Sequence, residues 1–502
     1  MHHSLISHKF PTLSKGVSRL ADAFAALRGS VNESLIKGLT DKLSFKALTD
    51  VQAQAIPQLM SNRKKDAVFK AKTGTGKTVA YLIACLDKTS ELPSRGIESL
   101  VIVPNRELGI QVEKVAINLH HYADGVCVVS LLGGASKADD ISNLKRYRPS
   151  IVIATPGRLI DHLTSTNGFP ALFGHLQSLV LDEADMLLSQ GLEAQLNSIL
   201  KYLPKSKRSI LVSATINDQV RRACAVLFKP SYIVIDCVAE GEPQTHASVD
   251  QQYLLAPGPL LFPALVNAFH AERVRLPYTN KTIVFFPTAK SASFASSLLG
   301  GKLGIPNVCL TGQSEREERD EAARKFRRDP TGVLITTDVS SRGVDYPDLS
   351  MVINVFAPTS IESYIHRVGR TARAGKSGRS LLILHEVEKE FMSRASDLPI
   401  RQASGASLLT ASLAVTQRLS CWSATDATLL AQAEEAYMSL ISHFSMTGRS
   451  LKLSDEAQVQ VASDFCMSSG MEETPTVSED FASRVRSSKV RSRLSPEDVE
   501  NG

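Results

Sequence analysis

Two short stretches of this chain carry residue types and spacings suited to phosphate chemistry. The first is Ala71-Lys72-Thr73-Gly74-Thr75-Gly76-Lys77-Thr78. Ala67 to Phe69 before it read as a short buried strand, and Lys77 to Leu86 after it as an apolar helix. A strand, a tight glycine-containing turn and a helix N-terminus form a cradle whose free N–H groups and dipole favour an anion. Gly74 and Gly76 let the backbone come close to phosphate oxygens. Lys77 supplies a point charge, and the Thr78 hydroxyl is placed to hold Mg²⁺. The generic phosphate loop begins with Gly, where this chain has Ala71. The second stretch is Asp182-Glu183-Ala184-Asp185, which follows the apolar run Leu179-Val180-Leu181. Acids at the C-terminal end of a parallel strand project into the crevice where ligands bind. Asp182 would hold Mg²⁺ beside Thr78, and Glu183 would polarise an attacking water. Four such residues alone could be an ordinary helix start. A phosphate loop in the same domain favours chemistry.

The elements that must position these groups are legible as an alternation. Strand candidates are Leu100 to Val103, Val126 to Val129, Ile151 to Ala154, Leu179 to Leu181, Ile210 to Val212 and Tyr232 to Ile235. Between the first two lies a helix with Leu108, Val112, Val115 and Leu119 on one face. Ahead of the phosphate loop, Val31 to Leu43 is helical, and a second helix after Gln52 is expected to break at Pro57. Continuous apolar strands alternating with helices imply a parallel sheet covered on both faces. Residues 239–248 break the pattern and read as a linker. The alternation then restarts, with strands expected at Gln251 to Leu255, Thr282 to Phe286, Val308 to Leu310, Val333 to Thr336, Met351 to Val355 and Ser380 to Leu384. After His385 no strand signal is read. Leu430, Ala433, Tyr437, Leu440 and Phe444 follow helical spacing, with Ser423 and Asp426 as a capping pair. A further helix starts at Ser454 and stops at Gly470.

Composition sets the outer bounds. A chain of 502 residues is too long for one core. Apolar residues at 43% and charged residues at 22% are ordinary for a globular protein, and no run is long and apolar enough to span a bilayer. The seven cysteines have no Cys-x-x-Cys spacing, which argues against a zinc site or a disulfide framework. A net charge of +6 permits a polyanionic partner without showing one. Residues 1–21 contain no Asp or Glu and are rich in hydroxyls, the composition of an organelle import segment or of a plain basic tail.

With the tetrapeptide Asp182-Glu183-Ala184-Asp185 in place, the chain resembles the DEAD-box RNA helicases, whose phosphate loop begins with Ala. The resemblance implies an α/β chain of two tandem RecA-like domains with parallel sheets, closing over ATP and single-stranded RNA. It places the first domain at 22–238 and the second at 249–386, joined by the linker 239–248. A helical C-terminal extension at 387–470 and a polar basic tail at 471–502 complete the chain. Gln52 stands where the family reads adenine, with Phe45 in the aromatic slot before it and Phe24 as the upstream aromatic. Leu48 replaces a usual Pro. Arg106, within Pro104-Asn105-Arg106-Glu107-Leu108-Gly109, together with Gly133-Gly134 and Thr155-Pro156-Gly157-Arg158, matches motifs that hold RNA by sugar and phosphate. Ser213-Ala214-Thr215 matches the motif linking nucleotide state to domain closure.

In the second half, Phe285 and Thr288 resemble the family's Phe-x-x-Thr strand end, and Arg319 matches an RNA-contacting Arg, although Arg316 stands where Gln is usual. Thr337, Gly343 and Asp345 lie in a motif touching RNA and ribose. His366-Arg367-Val368-Gly369-Arg370-Thr371-Ala372-Arg373 is the most specific match. It makes Arg370 the expected arginine finger on the γ-phosphate, with Arg367 beside it. The extension resembles that of the fungal mitochondrial helicases that assist intron splicing. The resemblance as a whole implies an RNA-dependent ATPase using ATP and Mg²⁺, with RNA as partner and no membrane. Its expected place is the mitochondrial matrix, with nucleolus, nucleus or cytoplasm as alternatives. A nucleolar ribosome-assembly helicase and an ATP-gated RNA clamp are the competing readings.

Overall fold

The computed structural model describes residues 24–87, 96–122, 125–189, 192–238, 245, 248–312, 316–338, 346, 348–373, 376–404, 415, 419, 422 and 425–475. The import-like segment 1–21, Gly343, Asp345, Ser423 and the basic cluster after Phe481 lie outside these residues, and so does most of the linker.

The first sheet has seven parallel strands: β1 (Asp66–Lys70), β2 (Ser99–Ile102), β3 (Val128–Leu131), β4 (Ile151–Ala154), β5 (Ser178–Leu181), β6 (Arg208–Ser213) and β7 (Tyr232–Asp236). Their order is β3-β4-β2-β5-β6-β1-β7. The second sheet contains β8 (Val249–Ala256), β9 (Lys281–Phe285), β10 (Asn307–Leu310), β11 (Gly332–Thr336), β12 (Met351–Val355), β13 (Gly378–His385) and β14 (Ile400–Gln402). It runs in the order β10-β11-β9-β12-β13-β8-β14, again all parallel. Ile, Val and Leu dominate the central strands because both faces are covered. The order of the first sheet places β6 between β5 and β1. The acids after β5, Ser213 at the end of β6 and the phosphate loop after β1 therefore emerge side by side at one edge.

Three local expectations are corrected. The helix Asp50–Ser61 runs straight through Pro57. Its face of Val51, Ala55, Ile56, Leu59 and Met60 is buried in the first core, and that packing outweighs one missing N–H. Residues 31–43 form only a short α-helix, Glu33–Lys37, continued by a π-helical turn, Gly38–Lys42. The carbonyl of Leu119 occupies the space a side chain on Gly38 would take, so the turn is moulded to its neighbour. A strand also exists after His385: β14 adds to β8, with Ile400 opposite Gln251. Three residues are too few to carry a strand pattern.

The helical extension is part of the second core. Its helices Ala427–Thr447 and Asp455–Ser468 start at Asp426 and Ser454, whose side chains accept the N–H groups of Leu429 and Ala457. Leu429, Ala433, Tyr437, Leu440 and Phe444 share one apolar cluster with Phe262, Phe286, Phe294 and Phe356 of the second domain. Phe465 sits among those four rings at centroid distances of 6.2, 6.1, 6.1 and 5.7 Å. Each such aromatic pair contributes about 0.5–1.5 kcal/mol beyond area burial. Among the described residues no helix is long and apolar enough to cross a membrane.

Candidate active site and nucleic-acid interface

The phosphate loop is shaped by two left-handed glycines, Gly74 at φ 72° and Gly76 at φ 89°. Gly76 caps the helix Lys77–Leu86, which directs its first N–H groups into the loop. A side chain at Gly76 would collide with the amide of Gln52. Gln52 is fully buried. Its Nε2 donates to the Gly76 carbonyl at 3.2 Å and its Oε1 accepts the Thr49 N–H at 3.0 Å. Thr49 Oγ1 donates to the Thr75 carbonyl at 2.8 Å, and Thr75 Oγ1 to that of Lys72 at 2.7 Å. The adenine-reading residue of the sequence analysis is thus also a brace for the loop. Each end of its amide keeps one further hydrogen-bonding position. Phe45 is half-buried beside the first core, whereas Phe24 is buried within that core. Lys77 is buried, with Nζ on the carbonyls of Ala71 (2.8 Å) and Lys72 (3.2 Å). Lys72 itself reaches the Thr245 carbonyl at 3.3 Å.

Across the crevice, Asp182 and Thr78 share a partner. The fully buried Tyr81 hydroxyl donates to Asp182 Oδ2 at 2.8 Å and also meets the Thr78 side chain. Burial and the adjoining Glu183 push the Asp182 carboxyl up to about 7. Glu183 adopts φ 50°, a left-handed conformation that costs a non-glycine residue roughly 1–3 kcal/mol. Its Oε2 is buried and accepts no hydrogen bond among the described residues. That oxygen faces His366 and Asp185, whereas Asp182 and the Thr78 hydroxyl, joined through Tyr81, offer the oxygen donors that suit a hard divalent cation such as Mg²⁺.

The fourth residue of the tetrapeptide faces the other domain. Asp185 Oδ2 accepts Thr215 Oγ1 at 2.7 Å, Thr215 N–H at 3.3 Å and, from the second domain, His366 Nε2 at 3.1 Å. Ser213 Oγ donates to the Thr215 carbonyl at 2.7 Å. Ser213 and Thr215 thereby connect the strand β6 to the domain junction. His366 Nδ1 also lies 3.3 Å from Glu183 Oε2. The same turn brings Gly369 against Thr73, where any side chain would overlap the hydroxyl. Arg373 covers Gly74, its Cγ 3.1 Å from the position a Cβ would take there.

The arginines of this turn divide their work. Arg370 and Arg373 fix their Nε atoms on the carbonyls of His366 and Gly369, at 3.0 and 2.9 Å. Arg367 departs from expectation. Its guanidinium forms a two-point pair with Asp338 at 2.7 and 2.9 Å, bonds Asn354 at 3.1 Å and stacks 5.1 Å from the Phe285 ring. All those partners belong to the second domain, so Arg367 braces that domain and does not pair with the phosphate loop. Arg373, the last residue of the same run, is the one against the loop. His366, Asp185 and Tyr81 also take part in the site without a sequence signal of their own, although the first two stand inside the matched motifs.

The residues of the first domain expected to hold RNA converge. Arg106 Nη1 donates to the Gly133 carbonyl at 3.1 Å, and Gly133 N–H to Thr155 Oγ1 at 3.2 Å. Gly134 is exposed at φ 82°. Arg158 bonds the Leu132 and Ala135 carbonyls and pairs with Asp140 at 3.3 Å. Asp140 is held in turn by the buried His162 at 3.2 Å. In the second domain, Thr337 is buried just past the end of β11, and Arg319 lies on the helix Arg316–Arg328. Thr288 caps the helix Ala289–Gly301 and meets Ser439 of the extension at 2.8 Å.

Comparison with known proteins agrees with this geometry. The profile described as DEAD/DEAH box helicase matches residues 49–223, and that described as helicase conserved C-terminal domain matches residues 266–375. The DEAD-box ATP-dependent RNA helicase 25 of Arabidopsis thaliana is 36% identical over 376 residues, 74% of this chain and 66% of that one. The chain thus spans about two thirds of that plant relative. The mitochondrial ATP-dependent RNA helicase mss116 of Aspergillus oryzae is 32% identical over 463 residues, 89% of this chain and 71% of that one. The solved structure of the DEAD-box helicase Mss116 bound to ssRNA and UDP-BeF superposes with a TM-score of 0.81 at 26% identity, covering 96% of this chain and 98% of that one.

Proposed function

The chain belongs to the DEAD-box ATP-dependent RNA helicase family, and from that premise we propose that it couples ATP hydrolysis to local unwinding of RNA in mitochondrial RNA processing or splicing. The observation that carries this reading is the junction itself. His366, Gly369 and Arg373 of one domain meet Asp185, Thr73 and Gly74 of the other, so the ATP site is complete only when the domains close. In this reading Ala71 to Thr78 hold the phosphates. Thr78 and Asp182 would hold Mg²⁺, which when bound would supply charge neutralisation at the phosphates, and Glu183 would orient the attacking water. Arg370 and Arg373 serve the γ-phosphate, and Asp345 the ribose. Arg106, Gly134, Thr155, Arg158, Arg319, Thr337 and Gly343 hold sugar and phosphate, which carry no base identity.

Support for the mitochondrial part is narrower. It comes from the Aspergillus relative and from a helical extension that, as in the Mss116 structure, falls within the superposed length. Two experiments test the reading. ATP turnover by the full chain should rise with single-stranded RNA of any sequence. A fluorescent tag on the chain with and without residues 1–21 should mark mitochondria only when that segment is present; an unchanged cytoplasmic or nucleolar signal would rule the location out.

A further inference from the structure

The crevice lies at the C-terminal ends of the strands. The opposite edge of the first sheet carries a second concentration of charge. Three turns meet there, leading into β1, β6 and β7. β1 pairs with both other strands, Ala67 opposite Ile210 and Asp66 opposite Tyr232, so the strands leaving the other two turns each lie about 5 Å from β1. The buried Asp66 clamps them. Its Oδ1 accepts Ser209 N–H at 2.6 Å and its Oδ2 accepts Lys229 N–H at 2.7 Å. Arg208 donates to the carbonyls of Lys65 and Leu59 at 2.8 and 3.1 Å, and Lys229 Nζ to that of Lys207 at 3.1 Å.

This clamp gathers Lys64, Lys65, Lys205, Lys207 and Lys229 on one edge. Four are exposed, and Lys207 is half-buried. Asp66, buried and bound to two backbone N–H groups, is the one acid of these turns, set against five lysines. No Asp or Glu occurs between Glu193 and Asp218, nor between Asp218 and Asp236. Among the described residues none of the five lysines forms an ion pair with a carboxylate, while their neighbour Arg63 is neutralised by Asp87 at 2.7 Å. Beside Lys229 stands Tyr232, 44% exposed on the edge strand and held by Phe228 at 5.2 Å between centroids. A row of free cations with a supported aromatic face is what a nucleic-acid strand takes: phosphates on the cations, a base on the ring.

We propose that this edge is a second RNA-contact surface, taking the phosphate backbone of RNA outside the crevice and stacking an unpaired base on Tyr232. The proposal rests on the RNA-binding role proposed for the crevice. An acidic protein could meet the same charge, but the open tyrosine face and the delivery of RNA by the crevice favour nucleic acid. β1 is five residues long, roughly 17 Å, so the two surfaces face opposite sides of the domain. A short strand that fills the crevice leaves this edge untouched, whereas a long or structured RNA reaches both.

The test uses the full chain with Lys64, Lys65, Lys205 and Lys229 changed together to Ala, and separately Tyr232→Ala. Melting temperature confirms the fold of each variant. Binding to a short single-stranded RNA and to a long hairpin-containing RNA is measured across salt concentrations, together with RNA-stimulated ATP turnover. The quadruple variant should keep wild-type turnover and short-RNA affinity. Its long-RNA affinity should fall about tenfold or more, with the salt slope shallower by about 0.7–0.9 for each phosphate no longer neutralised. Tyr232→Ala should weaken only the long RNA, by roughly tenfold. Unchanged long-RNA affinity and slope in both variants overturn the proposal. Loss of binding to an acidic peptide with RNA binding intact overturns it in favour of a protein partner. If the wild-type chain binds neither RNA, the RNA-binding reading itself has failed and this surface falls with it.

Discussion

His366 of the second domain places Nε2 3.1 Å from the Asp185 carboxylate of the first, joining the two halves of the site through one side chain. Burial alone would disfavour charge on Asp185. The His366 imidazole, followed by the Thr215 and Ser213 hydroxyls, overcomes that cost and holds the carboxyl well below its ordinary range. The contact therefore stabilises a charged acid only while the two domains are together.

Gly369 sets how near the domains come. Gly369→Val would place a side chain where the Thr73 hydroxyl stands. Overpacking of this kind costs about 1–3 kcal/mol, so RNA-stimulated turnover should fall roughly ten- to a hundredfold. The melting temperature should fall much less than turnover, because the hard overlap is with Thr73 of the other domain, while within its own domain the added Cβ only crowds the Ile365 carbonyl at 3.2 Å. Steady-state ATPase assays beside thermal denaturation check both parts.

Chemistry in the crevice should depend on Lys77 and Glu183 in different ways. Lys77→Ala removes the charge of the phosphate loop, and Glu183→Gln removes the carboxylate whose Oε2 accepts no hydrogen bond among the described residues. Each should lower ATP turnover at least about a hundredfold. Glu183→Gln should still bind ATP and RNA and should release them more slowly. Turnover at the wild-type rate by that variant would remove Glu183 from the mechanism.

The extension should behave as core. Tyr437 is 2% exposed and Phe465 1%. Phe465→Ala empties the centre of four phenylalanine rings and should cost about 3–5 kcal/mol. Tyr437→Asp buries a charge and should cost several kcal/mol in order of magnitude. Both should lower the melting temperature of the second domain. Variants of wild-type stability would mean that the helix does not bear on the sheet.

Stability should carry a pH signature from Glu388. This fully buried carboxyl accepts the N–H groups of Ala357 and His385, both at 3.0 Å. Burial, only partly offset by those two bonds, raises it from an ordinary value of 4.5 to about 7. The folded chain therefore keeps a proton that the unfolded chain has released, and stability should decline as pH rises from about 4.5 to about 7. Glu388→Gln can accept only one of the two N–H groups and should be less stable throughout. Its melting temperature should vary less across that window than the wild type's.

Much of this was legible in the sequence because the signals are local. The strand, glycine turn and helix around Lys77 announce a phosphate loop by themselves, and unbroken apolar runs such as Ile151 to Ala154 announce a parallel sheet. The extension was readable from the spacing of Leu430 to Phe444, and the structure adds the surface it packs on. What escaped depends on pairing at a distance. Pro57 stays in its helix because of packing that no dipeptide records. Arg367 and Arg373 look equivalent in the sequence; only Asp338 in one case and Gly74 in the other separates a domain brace from a residue at the phosphate loop. The basic edge escaped for the same reason, since Lys64, Lys205 and Lys229 come together only through the register of β1, β6 and β7.

The measurement closest to the central claim is ATP turnover by the wild-type chain and by His366→Ala, each with and without single-stranded RNA, beside ATP affinity. The account predicts RNA-stimulated turnover in the wild type. In His366→Ala it predicts ATP affinity within a few-fold of wild type, with the stimulation reduced at least about tenfold, as expected when one charge-assisted hydrogen bond is removed. Equal, RNA-independent turnover in both proteins would contradict it, because the ATP site would then work without the second domain.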